Sequence, residues 1–185
     1  DNSILSNKDN FEVRVRDIKT LAPRRWLNDT VIEYFMKYIE SSTKNTVAFN
    51  SFFYTTLSER GYQGVRRWMK RKKVTITDLN KIFVPINLNQ SHWALGMIDI
   101  QNKTINYIDS LSHGPNAMSF AILNDLKGYV INESKDAIGQ DFELNHISCP
   151  QQPNGFDCGI YVCLNTLYLS KNSDLIFDYK DAANM

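Results

Sequence analysis

No stretch of this chain approaches the roughly 18 consecutive apolar residues that a membrane-crossing helix needs. Cysteine is scarce: Cys149, Cys158 and Cys163 cannot all pair, and their spacing suits neither a CxxC site nor a disulfide framework, which points to a reducing compartment. An excess of charge is missing too. A formal net charge of +1 gives no global case for nucleic acid or a membrane as partner. No Walker-type P-loop or GxGxxG is present. Cys149, Cys158 and His146 match no common zinc spacing, so no metal or organic cofactor is expected. The chain opens Asp1-Asn2, with no initiator Met or signal peptide, and reads as a piece of a longer protein whose targeting segments lie elsewhere.

What is present suffices for one folded unit. The 185 residues, 43% hydrophobic and 22% charged, are read as a single domain over 1–185, with a monomer as the default. Residues 11–16 alternate apolar and charged, as a half-exposed strand does. A first helix begins near Asn28-Asp29, which can cap it, and carries Val31, Phe35, Tyr38 and Ile39 on one stripe. A second helix is expected over 57–72. Residues 81–109 read as a three-stranded meander, KIFVPIN, HWALGMIDI and TINYID, with turns at LNQS and QNK. A helix over 116–134, with Met118, Ile122, Leu126, Tyr129 and Val130 at helical spacing, precedes a short strand near 142–148. Pro150, Pro153, Asn154 and Gly155 then break regular structure, and an almost wholly apolar helix runs from Cys158 to about Tyr168. The fold class is α+β, a mostly antiparallel sheet packed with helices around that central buried helix.

Cys158 stands where a loop becomes a helix, and unpaired N–H groups there favour a thiolate. A neighbouring histidine would complete its activation. His113 reads as part of a surface turn and His146 of a short strand, whereas His92 opens a strand of the meander. Opposed residues of an antiparallel pair have a constant index sum, and His92 and Asp109 are centred between Ile100 and Gln101, close to the QNK turn. The two are therefore expected at the same end of adjacent strands, where Asp109 can fix the imidazole tautomer. The backbone N–H of Cys158 and the amide of Gln151 or Gln152 can serve a developing oxyanion, and spacing alone does not choose between the glutamines. Cys163 reads as a small core residue, Cys149 as a bystander thiol, and the basic run Arg66–Lys73 as a solvated helix face with Trp68 turned inward.

The segments Arg25-Trp26-Leu27-Asn28-Asp29, Ser91-His92-Trp93-Ala94-Leu95, Tyr107-Ile108-Asp109-Ser110 and Gln152-Pro153-Asn154-Gly155-Phe156-Asp157-Cys158-Gly159 resemble the SUMO-specific (ubiquitin-like-protein-specific) cysteine proteases, with FNSFFYTTLSERGYQGVRRWMKRKK similar to the budding-yeast type. The resemblance covers about residues 11 to 180. It implies an adenoviral-proteinase-like fold and cleavage of SUMO precursors and SUMO–lysine isopeptide bonds after Gly-Gly. By the same resemblance Cys158 is the nucleophile, His92 the base, Asp109 the orienting acid and Gln152 the oxyanion donor. Trp26 covers a narrow Gly-Gly tunnel with Gln90 and Trp93 near it, and Asp29, Phe52 and Thr55 contact the SUMO body. The implied setting is the nucleus or nuclear envelope. The family continues with a further helix beyond Phe177-Asp178-Tyr179, so the C-terminus is expected to be truncated. A protease for another ubiquitin-like modifier, an acyltransferase with the same catalytic set, and a non-catalytic SUMO-binding module are the alternatives.

Overall fold

The computed structural model describes residues 4–8, 11–14, 28–89, 92–111 and 115–178. Strands β1 (Ile4–Lys8) and β2 (Phe11–Arg14) pair antiparallel as a separate hairpin. Helix α1 (Asp29–Ser42) leads to β3 (Thr46–Ala48), followed by three short helices, α2 (Phe52–Arg60), α3 (Tyr62–Val65) and α4 (Trp68–Arg71). The meander β4 (Lys81–Leu88), β5 (His92–Asp99) and β6 (Thr104–Ile108) comes next, then α5 (Ala117–Glu133), β7 (Glu143–His146) and α6 (Cys158–Ser170).

Strands β3 to β7 form one sheet in chain order. The meander is antiparallel, as expected, but both edge strands are parallel to their neighbours, so the sheet is mixed. The reason lies in the connections: α2–α4 intervene between β3 and β4, and α5 between β6 and β7, and a helical crossover returns the chain in the same direction. The β5–β6 turn is fixed by Asp99, whose carboxylate accepts from the Asn102 N–H at 3.0 Å and its amide at 2.8 Å.

Both faces of the sheet are covered. Ile82, Val84, Ile86, Ala94 and Ile98 pack with residues of α2–α5, while Phe83, Trp93, Leu95 and Met97 pack with those of α1 and α6. The alternation along β4 and β5 explains why these strands read as continuous apolar runs. At Gly96 a Cβ would come within 2.8 Å of Leu126 Cδ1, so any larger residue there would force this buried side chain of α5 aside.

Three helical expectations need correction. The buried stripe of α1 is Ile32, Met36 and Ile39, whereas Tyr38 is 56% exposed. Asn28 alone caps this helix, accepting from the Val31 N–H at 3.1 Å, and Asp29 is its first residue. The helix expected over 57–72 starts at Phe52 and is broken at Gly61, whose φ of 68° no helix accommodates. On α5, Asn116 caps through a reciprocal box with Ser119, and Ile122, Leu126, Tyr129 and Val130 are buried, but Met118 is half-exposed.

Helix α6 is the buried centre, with every residue from Tyr161 to Thr166 enclosed. Its far end is tied to β4: the buried Lys81 donates to the Leu169 carbonyl at 3.0 Å and to Asn172 Oδ1. A cation at a helix C-terminus also complements the macrodipole.

Candidate active site

The β5–β6 ladder pairs Gly96 with Tyr107 and Leu95 with Ile108. Continued by one residue it sets Asp109 across from Ala94, on the face shared by His92 two positions on. The centre of the hairpin therefore lies one residue beyond the expected point, and the pair still meets: His92 Nε2 is 2.6 Å from Asp109 Oδ1. A carboxylate only accepts, so Nε2 carries the proton and Nδ1 has the lone pair in the neutral ring. That Nδ1 is buried without a nitrogen or oxygen partner among the described residues.

Two more donors aim at Asp109. The Leu111 N–H reaches Oδ1 at 2.9 Å and the Tyr107 hydroxyl reaches Oδ2 at 2.9 Å. Burial would raise the Asp109 pKa, but His92, Leu111 and Tyr107 together hold it below the ordinary value. Burial likewise pulls His92 down, yet Asp109 and the Cys158 thiol against the ring push it up to about 9. Such an imidazole keeps its proton at neutral pH.

Cys158 is the first residue of α6 and has no exposed surface. Asn154 shapes the loop before it. Its Oδ1 accepts from the backbone N–H groups of Phe156 and Asp157, each at 3.0 Å, and its Nδ2 donates to Asp157 Oδ2 at 2.7 Å. This Asx-type turn swings the chain into the helix, whose first bond runs from the Tyr161 N–H to the Asp157 carbonyl at 3.0 Å.

The two glutamines are held differently. Gln151 Nε2 donates to the carbonyls of Asp109 and Cys149, both at 3.1 Å, which engages both of its protons. Gln152 Nε2 donates to the Asn154 carbonyl at 2.8 Å, and its Oε1 accepts from the Ser110 hydroxyl. One Gln152 amide proton is thus left without an acceptor among the described residues.

The other candidates stand apart. His146 bonds Ser119 Oγ at 2.7 Å and packs against Tyr107 and Phe120. Burial pushes the Cys149 thiol up to about 11 and that of Cys163 up to about 12, so neither is poised as a thiolate. Among the described residues no group of three His, Cys, Asp or Glu stands together to hold a metal. His113, Trp26 and Gln90 lie outside the described residues. Asp29, Phe52 and Thr55 line one open groove of about 590 Å³ that also includes Asn87, Met118 and Asp125. Phe52 is 54% exposed there. Burial raises the Asp29 pKa against a hydrogen bond from Ser51. Trp93 is not in that groove; it is buried in the apolar cluster that contains Cys158.

The sequence pattern assigned Tyr107 and Ser110 no role, and Asn154 only that of breaking regular structure. The signal existed for Tyr107, because period-two alternation puts it on the face of Asp109. In the basic run, Arg66, Arg67, Lys70, Arg71 and Lys73 are exposed and Trp68 packs inward against Phe49 and Phe53.

Residues 25–185 match the model of the Ulp1 protease family, C-terminal catalytic domain. The chain belongs to this family. Among relatives of the Ulp1 family it is 74% identical over 185 residues to Ubiquitin-like-specific protease 1 of Saccharomyces cerevisiae, covering 100% of the chain and 30% of that protein. It is 33% identical over 187 residues to human Sentrin-specific protease 2, covering 94% and 31%. The chain therefore spans under a third of the length of these relatives. It superposes with a TM-score of 0.98 and 74% identity on the X-ray structure of the C-terminal Ulp1 protease domain in complex with Smt3, the yeast orthologue of SUMO, covering 99% of this chain and 83% of that one. A second likeness, with a TM-score of 0.96, 74% identity and coverage of 97% and 82%, is to the SUMO protease Ulp1 with its catalytic cysteine oxidised to a sulfenic acid.

Proposed function

We propose that this chain is the catalytic domain of a thiol protease that processes SUMO precursors after Gly-Gly and cleaves SUMO–lysine isopeptide bonds. The observation that carries the reading is the imidazole of His92, held through Nε2 by Asp109 with Nδ1 otherwise unpartnered and Cys158 against the ring. Family membership and the relatives' names support the substrate class.

In this reading His92 Nδ1 takes the Cys158 proton and the thiolate attacks the glycine carbonyl. The backbone N–H of Cys158 and the free amide proton of Gln152 meet the developing oxyanion, and loss of one such donor typically costs about 2.7–4 kcal/mol of transition-state stabilisation. The imidazolium protonates the leaving amine, a thioester remains on Cys158, and His92 then activates the water that hydrolyses it. Asp109 holds ring and charge throughout. A fully buried nucleophile is reached only by a thin chain, and glycine alone lacks a Cβ. Trp26, Gln90 and Trp93 are assigned to that passage, and the groove at Asp29, Phe52 and Thr55 to the folded body of SUMO, which must then supply most of the affinity. The family resemblance supports a nuclear setting for the full-length protein, at or near the envelope, which imaging of a fluorescent full-length fusion tests.

The deciding experiment labels wild type and Cys158→Ala with SUMO and ubiquitin probes, each ending in an electrophile after Gly-Gly. Labelling by SUMO alone that vanishes in Cys158→Ala supports the assignment. No labelling of the folded wild type by SUMO removes the protease reading, and labelling by another modifier instead reassigns the substrate.

A further inference from the structure

The turn that follows β6 holds one buried hydroxyl with no part in the steps above. Ser110 is 3% exposed, and its Oγ donates to Oε1 of Gln152. Its carbonyl also accepts the Gln152 backbone N–H at 2.9 Å, so the two residues are tied through main chain and side chain together. We propose that Ser110 is a positioning residue for the oxyanion donor: its hydroxyl clamps the oxygen end of the Gln152 amide, so that the nitrogen end, selected by the Asn154 carbonyl, stays presented to the reacting carbonyl. The inference rests on the assignment of Gln152 made above and extends it.

The two ends of a primary amide have nearly the same shape, and only their hydrogen bonding tells them apart. One end of the Gln152 amide lies 2.8 Å from the Asn154 carbonyl. A carbonyl only accepts, so that end is the NH2 group. The other end is then the oxygen, and Ser110 must supply the proton between them. Half a turn of the amide would set two acceptors, Oε1 and the Asn154 carbonyl, against each other, and would aim oxygen where the oxyanion forms. The Asn154 carbonyl, which can only accept, opposes that turn, and the Ser110 hydroxyl holds the opposite end of the amide in place.

Ser110 also follows Asp109 directly. One residue fixes the ring of the base and the next fixes the amide of the oxyanion donor, so a single strand end sets both in one frame. Donors held in place before the reaction stabilise charge without reorganising as it develops, which is why a rotationally fixed amide acts more strongly than a free one.

The test measures kcat and KM on SUMO ending in a Gly-Gly–fluorophore amide for Ser110→Ala, Gln152→Ala, the double variant and Ser110→Thr. Gln152→Ala is expected to lower kcat by about 10²- to 10³-fold. Ser110→Ala should lower it about tenfold, the scale of one buried neutral hydrogen bond, with KM nearly unchanged. The double variant should be no slower than Gln152→Ala, because the hydroxyl acts only through the amide. Ser110→Thr keeps the hydroxyl and should recover most of the rate. Alkylation of Cys158 by iodoacetamide forms no oxyanion and should run at the wild-type rate in Ser110→Ala. An unchanged kcat in Ser110→Ala overturns the inference. So does a double variant in which the two losses multiply, or a slowed alkylation, since Ser110 would then act through the fold or the Asp109–His92 pair. Full activity in Gln152→Ala is a separate failure, of the Gln152 assignment itself, and is read from that variant alone.

Discussion

Asp109→Asn isolates what the carboxylate charge contributes, because the substitution keeps the shape and most of the bonds. Oδ1 of an asparagine still accepts from His92 Nε2 and from the Leu111 N–H, now 2.6 and 2.9 Å away, while its amide nitrogen faces a Tyr107 hydroxyl that can turn to accept. Orientation is retained and charge is lost. In the native site the imidazole is lifted from 6.5 to about 9 against the downward pull of burial. At 1.36 kcal/mol per unit that lift is roughly 3 kcal/mol, reduced to about 2 kcal/mol for solvent screening at the exposed edge of the ring. Part of it comes from Cys158 and survives. Without the carboxylate, burial dominates again, and the imidazolium is lost at lower pH. The alkaline limb of kcat/KM, expected near pH 9 in the wild type from the raised His92 pKa, should move toward neutrality, with a loss of about 10- to 100-fold at pH 8. The assay is SUMO–fluorophore cleavage from pH 5.5 to 10, with the alkylation rate of Cys158 over the same range as a readout independent of substrate. If a folded Asp109→Asn variant keeps its alkaline limb near pH 9, the charge of Asp109 is not what holds the imidazolium, and the account of the base is wrong.

Three further outcomes follow from other parts of the molecule. Gly96→Ala would push a Cβ to 2.8 Å from Leu126 Cδ1 and 3.4 Å from Ile86 Cδ1, and this overpacking should cost about 1–3 kcal/mol, read as a lower denaturation midpoint. Phe52→Ala should raise KM for folded SUMO substrates about tenfold or more, with kcat unchanged, as loss of a binding anchor does; a fall in kcat alone would place Phe52 elsewhere in the cycle. Because the folded pKa of His92 lies above its ordinary 6.5, its contribution to stability is fully present below pH 6.5 and is lost as pH rises through about 9. Denaturant midpoints should therefore fall more between pH 6.5 and 9.5 in wild type than in His92→Asn, and equal slopes would contradict the coupling.

Where local pattern decided a feature, it was legible. The meander is an alternation of apolar runs and polar turns, α6 is an apolar segment behind a Pro- and Gly-rich loop, and α5 begins at a capping asparagine. Where two readings differed by one residue, pattern was not enough. On α1, Val31 and Ile32, like Phe35 and Met36, are adjacent apolar pairs, and only the neighbouring sheet and α6 decide that Ile32 and Met36 are the buried members. The early start of α2 depends on Asn50 Oδ1 accepting the Phe52 N–H at 2.9 Å, a bond made outside the helix. The parallel edge strands pair residues far apart in sequence, Val47 with Ile82 and Tyr107 with His146, which periodicity does not register. In the site, the hairpin argument brought His92 and Asp109 together although its centre was off by a residue, because the partners lie diagonally on one face. The difference between Gln151 and Gln152 was invisible to spacing, since it rests on which carbonyls take their amide protons.

The fold also explains how the proposed nucleophile, Cys158, can sit on the first turn of a helix without losing position. A helix N-terminus at the edge of a domain usually frays, and a thiol there would sample many places. Here the helix is enclosed along its length from Tyr161 to Thr166, and its last turn is bonded to Lys81 on β4. Lys81 is paired across the ladder with Asp99, at the far end of the same strand that opens with His92. Strand β5 therefore runs from the end that anchors the helix to the end that carries His92, the proposed base. Sliding α6 along its axis would have to break the Lys81 contacts and repack both the α1 and the β5 sides, so the distance from Cys158 to His92 is set by the rigid core and not by the loop between them. The loop is left with a narrower task, to turn the chain into the helix through Asn154 and to hold Gln152 against Ser110.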